Sequence, residues 1–224
     1  MSDDPATVTY ASYLALDEVL GAQRPRSDEH DEHLFIVVHQ VYELWFKQLL
    51  HELAHLRARL EAGEASPALH TLRRILTILK VAVAQIDVLE TMTPRQFSGF
   101  RARLDTASGF QSAQFRRVEA ELGAPLWGSF LAHLATEGFT VTGDDDVEDV
   151  LVAVYAADGA AAQVAERLVD LDEGLQEWRY RHVKMVERTI GDRLGTGGSS
   201  GAGYLRRTLF TPSFPALWSV RARL

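Results

Sequence analysis

The chain has 224 residues, 46% of them hydrophobic and none of them cysteine, with a formal net charge of −8. That is enough for one sizeable core, and it excludes disulfides, thiolate metal sites, iron–sulfur clusters and cysteine nucleophiles. The negative charge argues against nucleic acid and anionic membrane as partners, and no apolar run approaches the ~18 residues of a membrane span. The acidic start, Met1-Ser2-Asp3-Asp4-Pro5, has no apolar stretch of the kind a signal peptide needs. A cytoplasmic protein is expected. Eight histidines remain as available ligands and bases.

In chain order, Tyr10, Tyr13, Leu14, Leu16, Val19 and Leu20 predict a short amphipathic helix over residues 10–20, with packing the favoured role for its two tyrosines. Arg24-Pro25-Arg26-Ser27 breaks it. A long helix follows from about Glu29 to Glu61, stopping near Gly63. At about 100° per residue, Phe35, His39, Tyr42, Phe46, Leu49 and Leu53 share one side. His39 is therefore directed inward. Periodicity alone favours a satisfied core histidine there over a chemical role.

The next helix runs from Pro67 to about Met92, with Pro67 in its first turn and Thr93-Pro94 as its stop. Residues 96–114 carry Phe97, Phe100, Arg101 and Leu104 before a loop at Ala107-Ser108-Gly109-Phe110. Arg101, between aromatic residues, is drawn partly inward. It is either a snorkelling arginine or a clamp whose fork of donors matches a carboxylate. Residues 120–134 form a helix interrupted near Gly123-Ala124-Pro125. Residues 136–149, with Asp144-Asp145-Asp146, form a solvated loop without a metal role. From Val150 to Arg193 the pattern gives two helices, or one kinked at Gly159. Its second half presents Leu171, Leu175, Trp178, His182, Met185 and Val186 at spacings of three and four, so His182 is a second inward histidine.

Five of the nine residues from Gly195 to Gly203 are glycine. The Gly-Lys-Ser/Thr ending of a P-loop is missing. Such a segment is either a flexible linker or a loop that closes on a ligand, and its place inside the domain favours the ligand loop. The tail Phe214-Pro215-Ala216-Leu217-Trp218 looks packed. There are no repeats and no convincing strands, so the fold class is all-α, a helical bundle.

His51-Glu52-Leu53-Ala54-His55 is a literal H-E-x-x-H zinc-hydrolase motif. On the helical wheel both histidines fall roughly opposite Phe35, facing solvent. The longer form would need glycine at 58 and histidine at 61, where this chain has Ala58 and Glu61. The zinc reading ranks last.

Four blocks in order carry a resemblance. They are Tyr10-Ala11-Ser12-Tyr13-Leu14; His30-Asp31-Glu32-His33-Leu34-Phe35 through His39-Gln40 to Glu43-Leu44-Trp45-Phe46-Lys47; Phe100-Arg101 with Ser108-Gly109-Phe110-Gln111-Ser112 and Gln114-Phe115-Arg116; and Trp178-Arg179-Tyr180-Arg181-His182 with Ile190-Gly191 and the glycine-rich run. The ending from Phe214 to Arg221 matches bacterial members. In these motifs the chain resembles the haem-dependent tryptophan 2,3-dioxygenases. The resemblance implies an all-α bundle enclosing haem b, with O2 as co-substrate and L-tryptophan converted to N-formylkynurenine.

It also implies roles. His182 matches the proximal haem ligand, and Ser108 a position near the haem. His39 matches the distal histidine facing the indole N–H, and Phe35 the aromatic residue on the indole. Phe97 and Leu104 match pocket positions, Arg101 the carboxylate partner, and Thr196 the contact for the amino acid's polar end. Tyr10 and Tyr13 match tyrosines that residues 1–22 lend to a neighbouring subunit, in a homotetramer built as a dimer of dimers. The chain would be a single domain, 1–224, with a shortened variable segment at 117–175, and Ile86 stands where bacterial members often carry tryptophan. Alternatives are an oxygenase of indole or of substituted tryptophan in secondary metabolism, and a haem sensor or carrier without turnover. The paired presence of Arg101 and Thr196 favours an amino-acid substrate, and together with His182 it reverses the prior on His39.

Overall fold

The computed structural model describes residues 7–143, 145–196 and 201–224. Met1 to Pro5, Asp144 of the acidic run and Gly197 to Ser200 of the glycine-rich run lie outside the described residues. Among the described residues every regular element is helical. The helices are α1 (Tyr10–Tyr13), α2 (Leu16–Leu20), α3 (His30–Glu61), α4 (Ala65–Leu89), α5 (Pro94–Arg101), α6 (Ala113–Glu121), α7 (Ala124–Thr136), α8 (Val147–Ala157), α9 (Ala160–Ile190), α10 (Ala202–Arg206) and α11 (Pro215–Ser219). No helix among them is long and apolar enough to cross a membrane.

Helix α4 is the spine, packed along α3 on one side and α9 on the other. Its alternating leucine, isoleucine and valine positions are buried from Leu72 to Leu89. Tyr42 Oη donates to the Ala82 carbonyl at 2.6 Å, and Gln85 Nε2 donates to the Val38 carbonyl at 2.9 Å. These side chains lock the register of α3 against α4. Gln114 Nε2 donates to the Glu43 carbonyl at 2.9 Å and so fixes the start of α6 on α3. One hydrophobic cluster runs through α3, α4, α6 to α9 and the tail, and a smaller one joins Val38, Leu89, Met92, Phe97 and Phe100. Leu126, Phe130, Leu134 and Leu151, from the segment read as shortened, belong to the main cluster and are fully buried.

Several boundaries differ from expectation for local reasons. Residues 10–20 form two short helices because Ala15 adopts left-handed backbone, φ 49°. No residue of either helix is buried, so the tyrosines do not pack on their own chain. Helix α4 begins two residues before Pro67. Thr93 does more than stop a helix: it caps α5 reciprocally with Gln96, and Pro94 sits in the first turn. Gly159 separates α8 from α9 as two helices.

Buried polar groups anchor the connections. The Glu32 carboxylate accepts from the Arg26 and Ser27 amides at 2.9 and 2.8 Å, pinning the lead-in to α3. The Asp172 carboxylate accepts from the Ser213 and Phe214 amides and from Trp218 Nε1, which clips the tail onto α9. His133 differs: it is fully buried on α7, and neither ring nitrogen has a partner among the described residues. Burial therefore pushes its pKa below the ordinary 6.5, with Glu137 pulling weakly the other way. A base with a depressed folded pKa binds its proton first in the unfolded chain. Its contribution is neutral well above pH 6.5 and destabilises the fold as pH falls below it. His133→Leu removes both the unpaired polar atoms and the titration. Urea unfolding should show the variant losing less stability than the wild type between pH 7 and pH 5. Equal losses would show that His133 is not a source of acid sensitivity.

Candidate functional site

Helices α3, α5 and α9 and the segment after α9 surround a cavity of about 290 Å³. Helix α3 supplies Phe35 and His39, one turn apart, with ring centroids separated by 4.1 Å. Helix α5 supplies Phe97 and Arg101, four residues apart. Ser108 comes from the turn beyond α5, where its hydroxyl accepts from the Phe110 amide. Helix α9 supplies Trp178 and His182, again one turn apart, with centroids at 5.1 Å. Thr196 closes the rim.

The two imidazoles are prepared differently. His39 Nδ1 lies 2.7 Å from the Phe35 carbonyl oxygen. A carbonyl only accepts, so the neutral ring carries its proton on Nδ1 and leaves a lone pair on Nε2. Burial pushes the His39 pKa down, opposed by the Phe35 bond and the Glu43 charge. His182 is pushed down to about 4, first by burial and then by His39. No hydrogen bond to its ring is formed among the described residues. At neutral pH both rings are uncharged and able to offer a nitrogen lone pair.

Arg101 is half-buried, and its Nη2 donates to the Leu194 carbonyl at 2.5 Å. Apolar walls complete the cavity. Phe35 and Phe97 lie 5.8 Å apart, each about 5.5 Å from Phe100. Phe115 packs on Trp178 at 4.8 Å.

The structure thus brings Phe35, His39, Phe97, Arg101, Ser108, His182 and Thr196 around one space. Leu104 lies outside the lining and packs against the cluster of Phe97 and Phe100. Tyr10 and Tyr13 are 77% and 78% exposed, away from the cavity of their own chain. Lining residues that sequence reasoning did not single out include Leu89, Met92, Arg116, Glu119, Arg179 and Thr208. Arg179 is held by Glu119 at 3.2 Å and by the Thr211 carbonyl at 3.2 Å. Arg116 and Arg179 stood inside recognisable motifs. As arginines on amphipathic helices, though, they carried no periodic signal that separated them from surface charge.

The H-E-x-x-H stretch is divided by its own helix. His51 and His55 are exposed, whereas Glu52 is buried. Its carboxylate takes Arg74 at 3.1 Å and Gln48 at 2.6 Å, turned toward α4. Among the described residues no cluster of three metal-ligating side chains occurs.

The all-α cavity, with two neutral imidazoles, aromatic walls and arginines among its lining, is of the class that binds a largely apolar small molecule by a few placed polar groups. The chain belongs to the tryptophan 2,3-dioxygenase family, whose profile matches residues 2–126 and 134–224. It is 60% identical to the tryptophan 2,3-dioxygenase of Anaeromyxobacter sp. (strain K), over 98% of this chain and 97% of that protein. It is 49% identical to the one from Herpetosiphon aurantiacus, over 97% and 98%, and 38% identical to the one from Bacillus anthracis, over 100% and 95%. The first alignment spans 257 positions, more than the 224 residues of this chain, so that relative carries residues with no counterpart here. The profile match breaks between residues 126 and 134, within the segment read as shortened.

Substitution separates the two halves of the false zinc motif. His51→Ala with His55→Ala should leave the urea midpoint unchanged. Glu52→Ala should cost about 1–3 kcal/mol, because Gln48 and Arg74 lose their acceptor. A stability loss confined to the histidine pair would contradict this division.

Proposed function

We propose that the chain is a haem-dependent dioxygenase that inserts both atoms of O2 across the indole C2–C3 bond of L-tryptophan, giving N-formylkynurenine. The observation that carries the reading is the convergence of His39 and His182 on one apolar cavity with Arg101 and Thr196 at its rim. Membership of the family supports it.

The residues fit a haem. His182 is neutral, unbonded and directed at the cavity, the state in which an imidazole ligates iron. Arg116 lines the same cavity and offers positive charge to an anionic periphery, while Arg179 beside it is already paired with Glu119. Bound there, haem b supplies the activation of O2, which no side chain can provide.

The chain's own residues bind and orient. His39 presents the Nε2 lone pair as acceptor for the indole N–H. Phe35 gives the indole a flat apolar contact, and Phe97 shapes the wall around it with Leu104 packed behind against the Phe97 and Phe100 cluster. Arg101 takes the carboxylate, Thr196 the ammonium end, and Ser108 borders the haem. With water excluded, the charge-assisted contact at Arg101 is stronger than it would be in bulk solvent. The substrate is thereby held in one orientation before oxygen arrives.

The exposed apolar residues of α1 and α2, Tyr10 and Tyr13 among them, suit a role in a neighbouring subunit's site. They support a contact with a neighbouring subunit; the homotetramer, a dimer of dimers of a single-domain cytoplasmic chain, rests on the family resemblance. Oxidation of substituted tryptophan is a second outcome that the same clamp would accept.

Two substitutions test the faces of the cavity. His182→Ala should reduce the haem retained on purification to below about a tenth of the wild type. His39→Ala should retain haem and lower turnover at least about tenfold, the value of one hydrogen bond. Loss of haem from the His39 variant and its retention in the His182 variant would reverse the assignment.

A further inference from the structure

The two polar ends of the clamp are not mechanically separate. Arg101 lies at the C-terminal end of α5, and Thr196 lies beyond the end of α9. The link between them is the hydrogen bond from Arg101 Nη2 to the Leu194 carbonyl at 2.5 Å. Leu194 precedes Thr196 by two residues. Consecutive Cα atoms are 3.8 Å apart, so fixing Leu194 confines the Thr196 Cα to within about 7.6 Å of it.

The base of this segment is also closed on itself. Gly201 has φ 59°, and a Cβ there would lie 2.7 Å from the Arg193 carbonyl oxygen. The returning chain is therefore seated directly on residues 193–195, in a backbone conformation that suits glycine. On the α9 side, Arg206 ties the segment down through Glu187 at 2.6 Å and Asp192 at 3.9 Å. On the α5 side, across the cavity mouth, the tie is Arg101. A guanidinium has five donors, so the bond to Leu194 leaves others for a carboxylate.

We propose that Arg101 is a positioning residue for the segment 194–196 as well as the carboxylate partner, so that carboxylate and ammonium recognition form one coupled unit. The coupling to substrate rests on the functional reading above; the positioning of the segment does not. Lysine at 101 would keep the charge but lose the fork that serves two acceptors at once.

The first measurement is limited trypsin proteolysis of the substrate-free protein. In Arg101→Lys cleavage after Arg193 should be about tenfold faster than in the wild type, with sites in α3 and α4 unchanged; this is the loss of one charge-assisted hydrogen bond that holds the segment. Arg101→Gln serves as the second variant, and circular dichroism establishes that each is folded. The second measurement is calorimetric titration of the haem-loaded protein with tryptamine, which has the ammonium and no carboxylate. Arg101→Lys should weaken tryptamine about tenfold although Arg101 does not touch an ammonium. Thr196→Ala should weaken it in the wild type and add little in the Arg101→Lys background. Unchanged cleavage after Arg193, or an intact tryptamine affinity in Arg101→Lys, overturns the proposal. A wild-type protein that takes up neither haem nor tryptophan would instead sink the functional reading, and the proteolysis result would still decide this one.

Discussion

The site depends on the packing of α3 and α9 against a common helix. His39 and His182 stand on different helices, 143 positions apart in the numbering, and neither helix alone defines a cavity. Helix α4 lies along both, and its buried aliphatic face sets how they are placed. The side-chain bonds from Tyr42 to Ala82 and from Gln85 to Val38 fix α3 along its length, so His39 comes to rest at the level of the cavity. Burial then keeps both imidazoles neutral. Packing and chemistry are thus one constraint: the contacts that close the core also remove the charge from the two rings.

The remaining walls are held by buried carboxylates. Asp172 clips the tail to α9, behind the part of the helix that carries Trp178 and His182. Glu32 fixes the approach to α3 just before Phe35. Each carboxylate accepts several N–H groups, which offsets much of the cost of burying it. The shortened segment retains α7 and α8, and their apolar faces enter the main core. It therefore still closes the bundle, although residues found in longer relatives are absent.

Much of this was legible in the sequence because helical periodicity reports which face is buried. Phe35, His39 and Phe46 on α3, and Trp178 and His182 on α9, could be placed inward from spacing alone. Spacing could not say that the two faces meet, and only the motifs joined them. The buried carboxylates were illegible for another reason. Glu52 and Asp172 look like surface charges, since their partners lie on other elements. Asp172 finds its donors at Ser213, Phe214 and Trp218, and Glu52 finds Arg74 on α4. The N-terminal helix misled in the opposite sense. Its pattern implied packing, but among the described residues none of either short helix is buried, and Ala15 breaks it in two. Arg101, expected partly inward, is half-buried, and its bond to Leu194 could not be foreseen across 93 residues of sequence.

The most direct test of the central claim is the product itself. The haem-loaded protein is reduced without oxygen, given L-tryptophan, and then exposed to isotopically labelled O2. The product should gain the mass of two oxygen atoms, both carrying the label. A gain of one labelled atom, or none, would contradict a dioxygenase.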